Sequence, residues 1–216
     1  MTALHAYDLR IEQRREPLGL DAERPRVSWR LRGAAVDLPA LRVTCTAADG
    51  SEWRSPWTTE RPADGVAIEA PLSPRTRYAV RLEQRDGEAA PRTLAESFFE
   101  TGYLGTPPPG AWIGRDRRFD RPDRSFDPPV DDGIPISARR IPPALTLRRG
   151  FRTEGAVRSA RLHASARGIY RAHLNGARVG TDELAPGWTD YTDRTLYQTH
   201  DVTALLRSGE NALGLT

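Results

Sequence analysis

Apolar residues in the first hundred positions recur at every second place, the period of a strand with one buried face. Val27, Trp29 and Leu31 share a face of one run, and Leu41, Val43 and Cys45 share a face of the next. Gly65-Val-Ala-Ile follows a turn, and Tyr78, Val80 and Leu82 alternate with Arg77, Ala79 and Arg81. Several short strands at this spacing predict an antiparallel β-sandwich.

The texture changes after residue 103. Residues 104–147 are studded with proline, from Pro107-Pro108-Pro109 to Pro142-Pro143. Proline cannot donate to a ladder, so an extended linker or surface insertion is expected here. Asp131-Asp132-Gly133 has the outline of a cation loop, and a solvated turn is the simpler reading.

Alternation returns in residues 148–216. Ala160, Leu162 and Ala164 share one face, with Arg161 and His163 opposite. Gly168 is expected to bend or bulge the chain. Tyr170, Ala172 and Leu174 then form a face, with Arg171 and His173 behind it. Asn175-Gly176 is a strong hairpin signal, because a two-residue primed turn needs positive φ at both positions. Val179 is read as the start of the return strand. Asp201 to Gly209 reads as one or two helical turns, capped by Asp201 and ended by Gly209. Asn211-Ala-Leu-Gly-Leu-Thr216 opens an apolar strand whose partners are expected outside the sequence.

Composition narrows the function classes. The 216 residues are 38% hydrophobic and hold 18 Gly and 18 Pro, which suits punctuated strands better than long helices. All 32 Lys-or-Arg positions are arginine, and the formal net charge is only +3. These arginines are spread along the chain, mostly beside Asp or Glu. No clustered basic run interleaved with aromatics is visible, which argues against a nucleic-acid partner. Cys45 is alone, so no intrachain disulfide forms, and it reads as a small buried hydrophobe. No apolar signal region opens the chain and no run approaches transmembrane length, so a cytoplasmic protein without a membrane partner is expected.

Two motif sets resemble known families. Leu72-Ser-Pro74-Arg-Thr76-Arg-Tyr78 leading into an alternating strand resembles the fibronectin type III fold, where the Tyr hydroxyl bonds back to the preceding corner. Gly168-Ile-Tyr170 through Asn175-Gly176 and Val179-Gly180, then Leu184-x-Pro186-Gly187-Trp188-Thr-Asp190-Tyr191 and Tyr197 to Thr203, resembles the N-terminal β-sandwich of bacterial α-L-rhamnosidases. Pro17-Leu-Gly-Leu-Asp21, Pro25-Arg-Val-Ser-Trp29 and Phe99-Glu-Thr-Gly102 are similar to the opening and close of the first domain of the same enzymes.

The resemblance implies an all-β chain of two sandwich units. Residues 1–103 would be fibronectin-III/Ig-like, 104–147 a Pro-rich linker or insertion, and 148–216 the start of a jelly-roll-like sandwich. Family members hydrolyse terminal α-L-rhamnose with inversion, using two carboxylates spaced to admit a water. In the family those carboxylates lie on an (α/α)₆ barrel, and this chain has no helical repeat to build one. No catalytic residue is therefore assigned. The chain reads as a non-catalytic N-terminal accessory portion, with the missing barrel as its partner. The alternatives are a free-standing rhamnose-binding module and a structural sandwich pair for protein contacts.

Related sandwich modules in some rhamnosidases are thought to hold rhamnose with the help of calcium. On that pattern Trp188 and Tyr191 offer an aromatic platform, and Asn175, Asp182 and Asp190 offer polar groups. The other reading has Trp188 and Tyr191 packing the loop and Asn175 serving only the turn. Asp182, Glu183, Asp190 and Asp193 cluster in sequence around the Pro-Gly-Trp loop, and nothing there marks a pocket that would raise one pKa for acid catalysis.

Overall fold

The computed structural model describes residues 4–33, 39–60, 62–114 and 144–216. Most of the Pro-rich stretch, including Asp131-Asp132-Gly133, lies outside the described residues. The chain divides into two compact units, Met1–Pro108 and Pro109–Thr216.

The first unit has strands β1 (His5–Ile11), β2 (Arg26–Arg32), β3 (Ala40–Ala47), β4 (Glu52–Arg54), β5 (Val66–Ala67), β6 (Arg77–Arg85) and β7 (Arg92–Glu100). They form two antiparallel sheets, β1-β2-β5 and β4-β3-β6-β7. Their inner faces are the apolar sets legible in the sequence. Val27, Val43, Val80, Leu82, Ile11, Ile68 and Phe99 are completely buried between the sheets, and Trp29 and Leu31 pack against them.

Tyr78 closes the corner before β6. Its ring stacks on Phe99 with centroids 5.0 Å apart, and its hydroxyl accepts the Ser73 N–H at 2.8 Å. The buried Thr101 adds a second tie, donating to the Ser73 carbonyl at 2.6 Å. The Pro17–Leu20 segment joins the same end. Leu20 N–H donates to Glu100 O, and Gly102 N–H donates back to Leu20 O, both at 2.9 Å. The N-terminal motif and the domain-closing motif are thus one hydrogen-bonded feature.

The outer face of β3 and β6 buries a carboxylate. Glu83 accepts from Arg42 Nε at 2.6 Å and from Thr44 Oγ1 at 3.1 Å, with Arg81 Nε 3.8 Å from its second oxygen. Burial alone would raise the Glu83 pKa, and the hydrogen bonds from Arg42 and Thr44 outweigh it, so the carboxyl is held below its ordinary range.

The second unit has β8 (Leu147–Thr153), β9 (Arg161–Ala164), β10 (Ala172–Leu174), β11 (Ala177–Arg178), β12 (Gln198–Asp201) and β13 (Gly209–Leu215). They form a four-stranded sheet, β11-β10-β13-β8, and a two-stranded sheet, β12-β9. Tyr170, Ala172, Leu174, Ala164, Val179 and Val202 make the buried core, with Phe151, Leu162 and Leu213 packed on it.

Three sequence expectations are corrected here. The final apolar run does have partners within the chain. As part of β13 it is an interior strand, bonded to β10 on one side and to β8 on the other, in register from Gly209↔Thr153 to Leu215↔Leu147. The paired residues are 39 to 68 positions apart, from Leu174↔Leu213 to Leu215↔Leu147, beyond any local signal. The segment after Asp201 is a single 3-10 turn, Thr203–Leu205. Its N-cap is Val202 rather than Asp201, whose carboxylate accepts the Thr203 N–H at 2.9 Å from one residue earlier, and Gly209, at φ 93°, opens β13 rather than ending a helix. The return strand of the hairpin is Ala177–Arg178, and Val179 follows it, donating its N–H to Ala172 O at 2.9 Å. The turn itself is as expected, with φ of 53° at Asn175 and 86° at Gly176.

Candidate functional site

The loop between β11 and β12 has the density of exposed polar and aromatic groups that a binding site needs, and a small polar lattice holds it in place. Tyr170 N–H donates to Ala185 O at 2.8 Å, and the Ala185–Pro186 bond is cis. Gln198 links both sides, donating to Pro186 O at 2.9 Å and accepting from the Tyr170 hydroxyl at 3.0 Å. Burial, and secondarily the Asp182 charge, push the Tyr170 phenol up to about 12, so it stays a neutral donor. The His200 ring lies against Gly180, where a Cβ would meet it at 2.6 Å, and its Nδ1 is 3.8 Å from Asp182 Oδ2.

Further out, Tyr191 accepts the Gly168 N–H at 2.9 Å, and Ser165 Oγ donates to Leu196 O at 2.6 Å. Asp190 folds into its own turn, accepting the Thr192 N–H and hydroxyl, which hold its carboxyl below the usual range. Glu183 bonds Arg178 at 2.8 Å and Arg171 at 3.2 Å, and these guanidinium groups likewise hold it low.

Four of the five sequence candidates lie on this loop, and the fifth lies on the β10–β11 turn. Asp182, Trp188, Asp190 and Tyr191 belong to this loop. Trp188 is 87% exposed. Tyr191 does serve the loop, through its hydroxyl. The Asn175 side chain is turned inward, donating to Leu205 O and to Asn211 Oδ1, each at 2.8 Å, and accepting the Ala212 N–H at 2.9 Å. That satisfies its amide within the fold.

Sequence reading missed the apolar lip of the site. Beside the loop lies a hollow of about 300 Å³ lined by Ile169, Tyr170, Arg171, Asp182 and Leu184. Ile169 and Leu184 are 65% and 69% exposed. Leu184 reaches outward from a φ of 57°, and no sequence signal marks a leucine in that conformation. Among the described residues no group of three His, Cys, Asp or Glu side chains converges to hold a metal ion. Asp182 and Asp190 are single exposed carboxylates rather than a cage, so the donor set does not fit a calcium centre of protein ligands.

Comparison with known proteins agrees with this architecture. Residues 6–105 match the family described as the Rha78A-like N-terminal immunoglobulin domain, and residues 155–216 match the α-L-rhamnosidase N-terminal domain. An α-L-rhamnosidase of Streptomyces avermitilis is 60% identical over 68 residues, covering 31% of this chain and 7% of that protein. One from Formosa agariphila is 26% identical over 214 residues, covering 93% of this chain and 22% of that protein. The crystal structure of the S. avermitilis α-L-rhamnosidase complexed with L-rhamnose aligns with a TM-score of 0.76 at 23% identity, over 99% of this chain and 36% of that one. The native enzyme from Aspergillus terreus aligns with a TM-score of 0.67 at 26% identity, over 99% and 23%. The chain thus spans well under half the length of these relatives, in their N-terminal portion. Both units belong to the α-L-rhamnosidase family, as its N-terminal immunoglobulin-like domain and the N-terminal domain that follows it.

Proposed function

We propose that this chain is a non-catalytic accessory segment of an α-L-rhamnosidase-type glycoside hydrolase, working beside a catalytic domain supplied by the rest of the enzyme. The parent activity would be the inverting hydrolysis of terminal α-L-rhamnose, which needs one carboxyl with a raised pKa and a second carboxylate across the sugar. One observation carries the non-catalytic reading. The chain matches only the N-terminal portion of far longer rhamnosidases, 22% of the Formosa agariphila protein and 36% of the S. avermitilis chain. In agreement, Glu183 and Asp190 on the candidate loop are held low by hydrogen bonds to Arg178 and Thr192, where a general acid needs a raised pKa. The segment's role is then to pack against the catalytic domain and shape access to it. Two sandwiches joined by the Pro-rich residues 104–147 suit that role. The test is release of p-nitrophenol from p-nitrophenyl α-L-rhamnoside by this chain alone. A rate at the buffer background is expected, and any rate above it overturns the reading.

A second reading, rhamnose binding at the loop, is favoured by the exposed Trp188 ring on the same loop that gives Asp182 and Leu184 to the hollow. Trp188 would carry the sugar face, with Asp182, Asp190 and Tyr191 as polar contacts. Calcium would have to draw its ligands mainly from carbonyl oxygens and the sugar. Calorimetric titration with L-rhamnose, with and without calcium, decides this, and absence of heat in both conditions removes it.

A further inference from the structure

The arginines look evenly spread in sequence, yet strand pairing gathers five of them on one surface of the first unit. The pairs His5↔Arg32, Tyr7↔Arg30 and Arg10↔Ser28 set these residues side by side on the outer face of β1-β2-β5. Arg26, at the end of the same row, is anchored to the carbonyls of Asp64 and Gly65. Arg15 folds back onto the face to reach Asp8, the acid at the β1 bulge.

Asp8 shows what this surface accepts. Its side chain is 9% exposed and faces three guanidinium groups: Arg15 at 2.7 Å, Arg10 at 2.9 Å and Arg30 at 3.8 Å. One carboxylate does not saturate them, since each guanidinium has five donors. Arg15 and Arg30 remain 73% and 70% exposed. The guanidinium groups of Arg30 and Arg32 donate no hydrogen bond to the described residues, and Arg32 lies 5.8 Å over the Tyr7 ring, itself 42% exposed. Arg30 and Arg32 leave one strand two residues apart, about 7 Å, so one extended chain can reach both.

We propose that this face binds an acidic glycan, a polysaccharide bearing sugar carboxylates, with the forks of Arg30 and Arg32 taking carboxylates and Tyr7 carrying a pyranose ring. Arginine can pair with a planar carboxylate in bidentate geometry, and on this face Arg15 Nε and Nη2 both donate to Asp8 Oδ1, at 3.1 and 2.7 Å. Nucleic acid is disfavoured, because a single exposed ring gives no succession of stacking positions. The choice of a glycan over another polyanion rests on the accessory reading above.

The test is calorimetric titration of the whole chain with oligogalacturonate, poly-L-glutamate and dextran. Heat is expected with oligogalacturonate, weakening as salt rises, and none with dextran. The double variant Arg30→Gln/Arg32→Gln should bind about tenfold more weakly, and Tyr7→Ala should also weaken binding. The double variant Arg148→Gln/Arg149→Gln removes the same charge from β8 in the second unit and should bind as the parent does. No heat with oligogalacturonate overturns the proposal. So does equal loss in both double variants, which means net charge alone, or equal affinity for poly-L-glutamate, which means an acidic-protein face. The accessory reading fails on rhamnoside hydrolysis instead, so the two failures are distinct.

Discussion

Asn175 and Asn211 meet side chain to side chain at 2.8 Å, although 36 residues separate them. Asn175 closes the β10–β11 turn, and the buried Asn211 sits on β13. Asn211 Oδ1 also accepts the Arg207 N–H at 2.9 Å, and its Nδ2 reaches the carbonyls of Arg207 and Gly209. Two amides thus lock a hairpin turn, the 3-10 turn and the bend before β13 together. Asn211→Ala leaves several part-buried backbone groups without partners and should cost about 2–4 kcal/mol. Asn175→Ala should cost less on its own, and urea unfolding of the double variant should show coupling of about 1 kcal/mol. Strict additivity would mean that the two amides act separately.

Glu83 makes the first unit acid-sensitive. Its folded pKa lies below its unfolded one, so its contribution is fully present above the ordinary carboxylate range. It is lost as pH falls through the folded value. Glu83→Gln should destabilise by about 1–3 kcal/mol at neutral pH, because Arg42, itself largely buried, loses its counter-charge. Urea midpoints of parent and variant should converge as the pH falls below that range. A difference that persists in acid would place the effect in packing rather than charge.

Gly65 has no room for a side chain. Its φ is 76°, and a Cβ would lie 2.4 Å from the Val27 carbonyl oxygen. Gly65→Ala combines left-handed strain with a backbone clash and should cost about 2 kcal/mol or more. Thermal unfolding by circular dichroism measures it, and an unchanged midpoint would contradict the close approach of β5 to β2.

Trp188 is 87% exposed, so Trp188→Ala should leave stability within about 0.5 kcal/mol of the parent. It should also lower the fraction of tryptophan fluorescence that acrylamide quenches. A larger loss of stability would mean that the ring packs the loop after all.

Much of the first unit was legible because its signal is local. Leu41, Val43 and Cys45 alternate and are buried together, and burial pushes the Cys45 thiol up to about 12, as a small core residue would show. The Tyr78 corner needs only five residues of chain, and its hydroxyl bond to Ser73 is found where the motif places it. The candidate loop was legible in part. Its Pro-Gly-Trp sequence marks a display of polar and aromatic groups, but Leu184 and Ile169 at its lip carry no sign of exposure. The inward direction of the Asn175 amide was not legible, since a turn signal says nothing of where an amide points.

Period-two patterning and turn chemistry, which depend on neighbours a few residues away, determined the all-β class, the strand faces and the Asn175-Gly176 hairpin. Only the tertiary structure decided what the strands lie beside. It made β13 an interior strand between β10 and β8, joined Asn175 to Asn211, and turned Arg10, Arg15, Arg30 and Arg32 from scattered charges into one face. The physical reason is that sheet neighbours are chosen by burial of whole apolar faces across long loops. A residue's lateral partners are therefore a property of register, and no local window contains them.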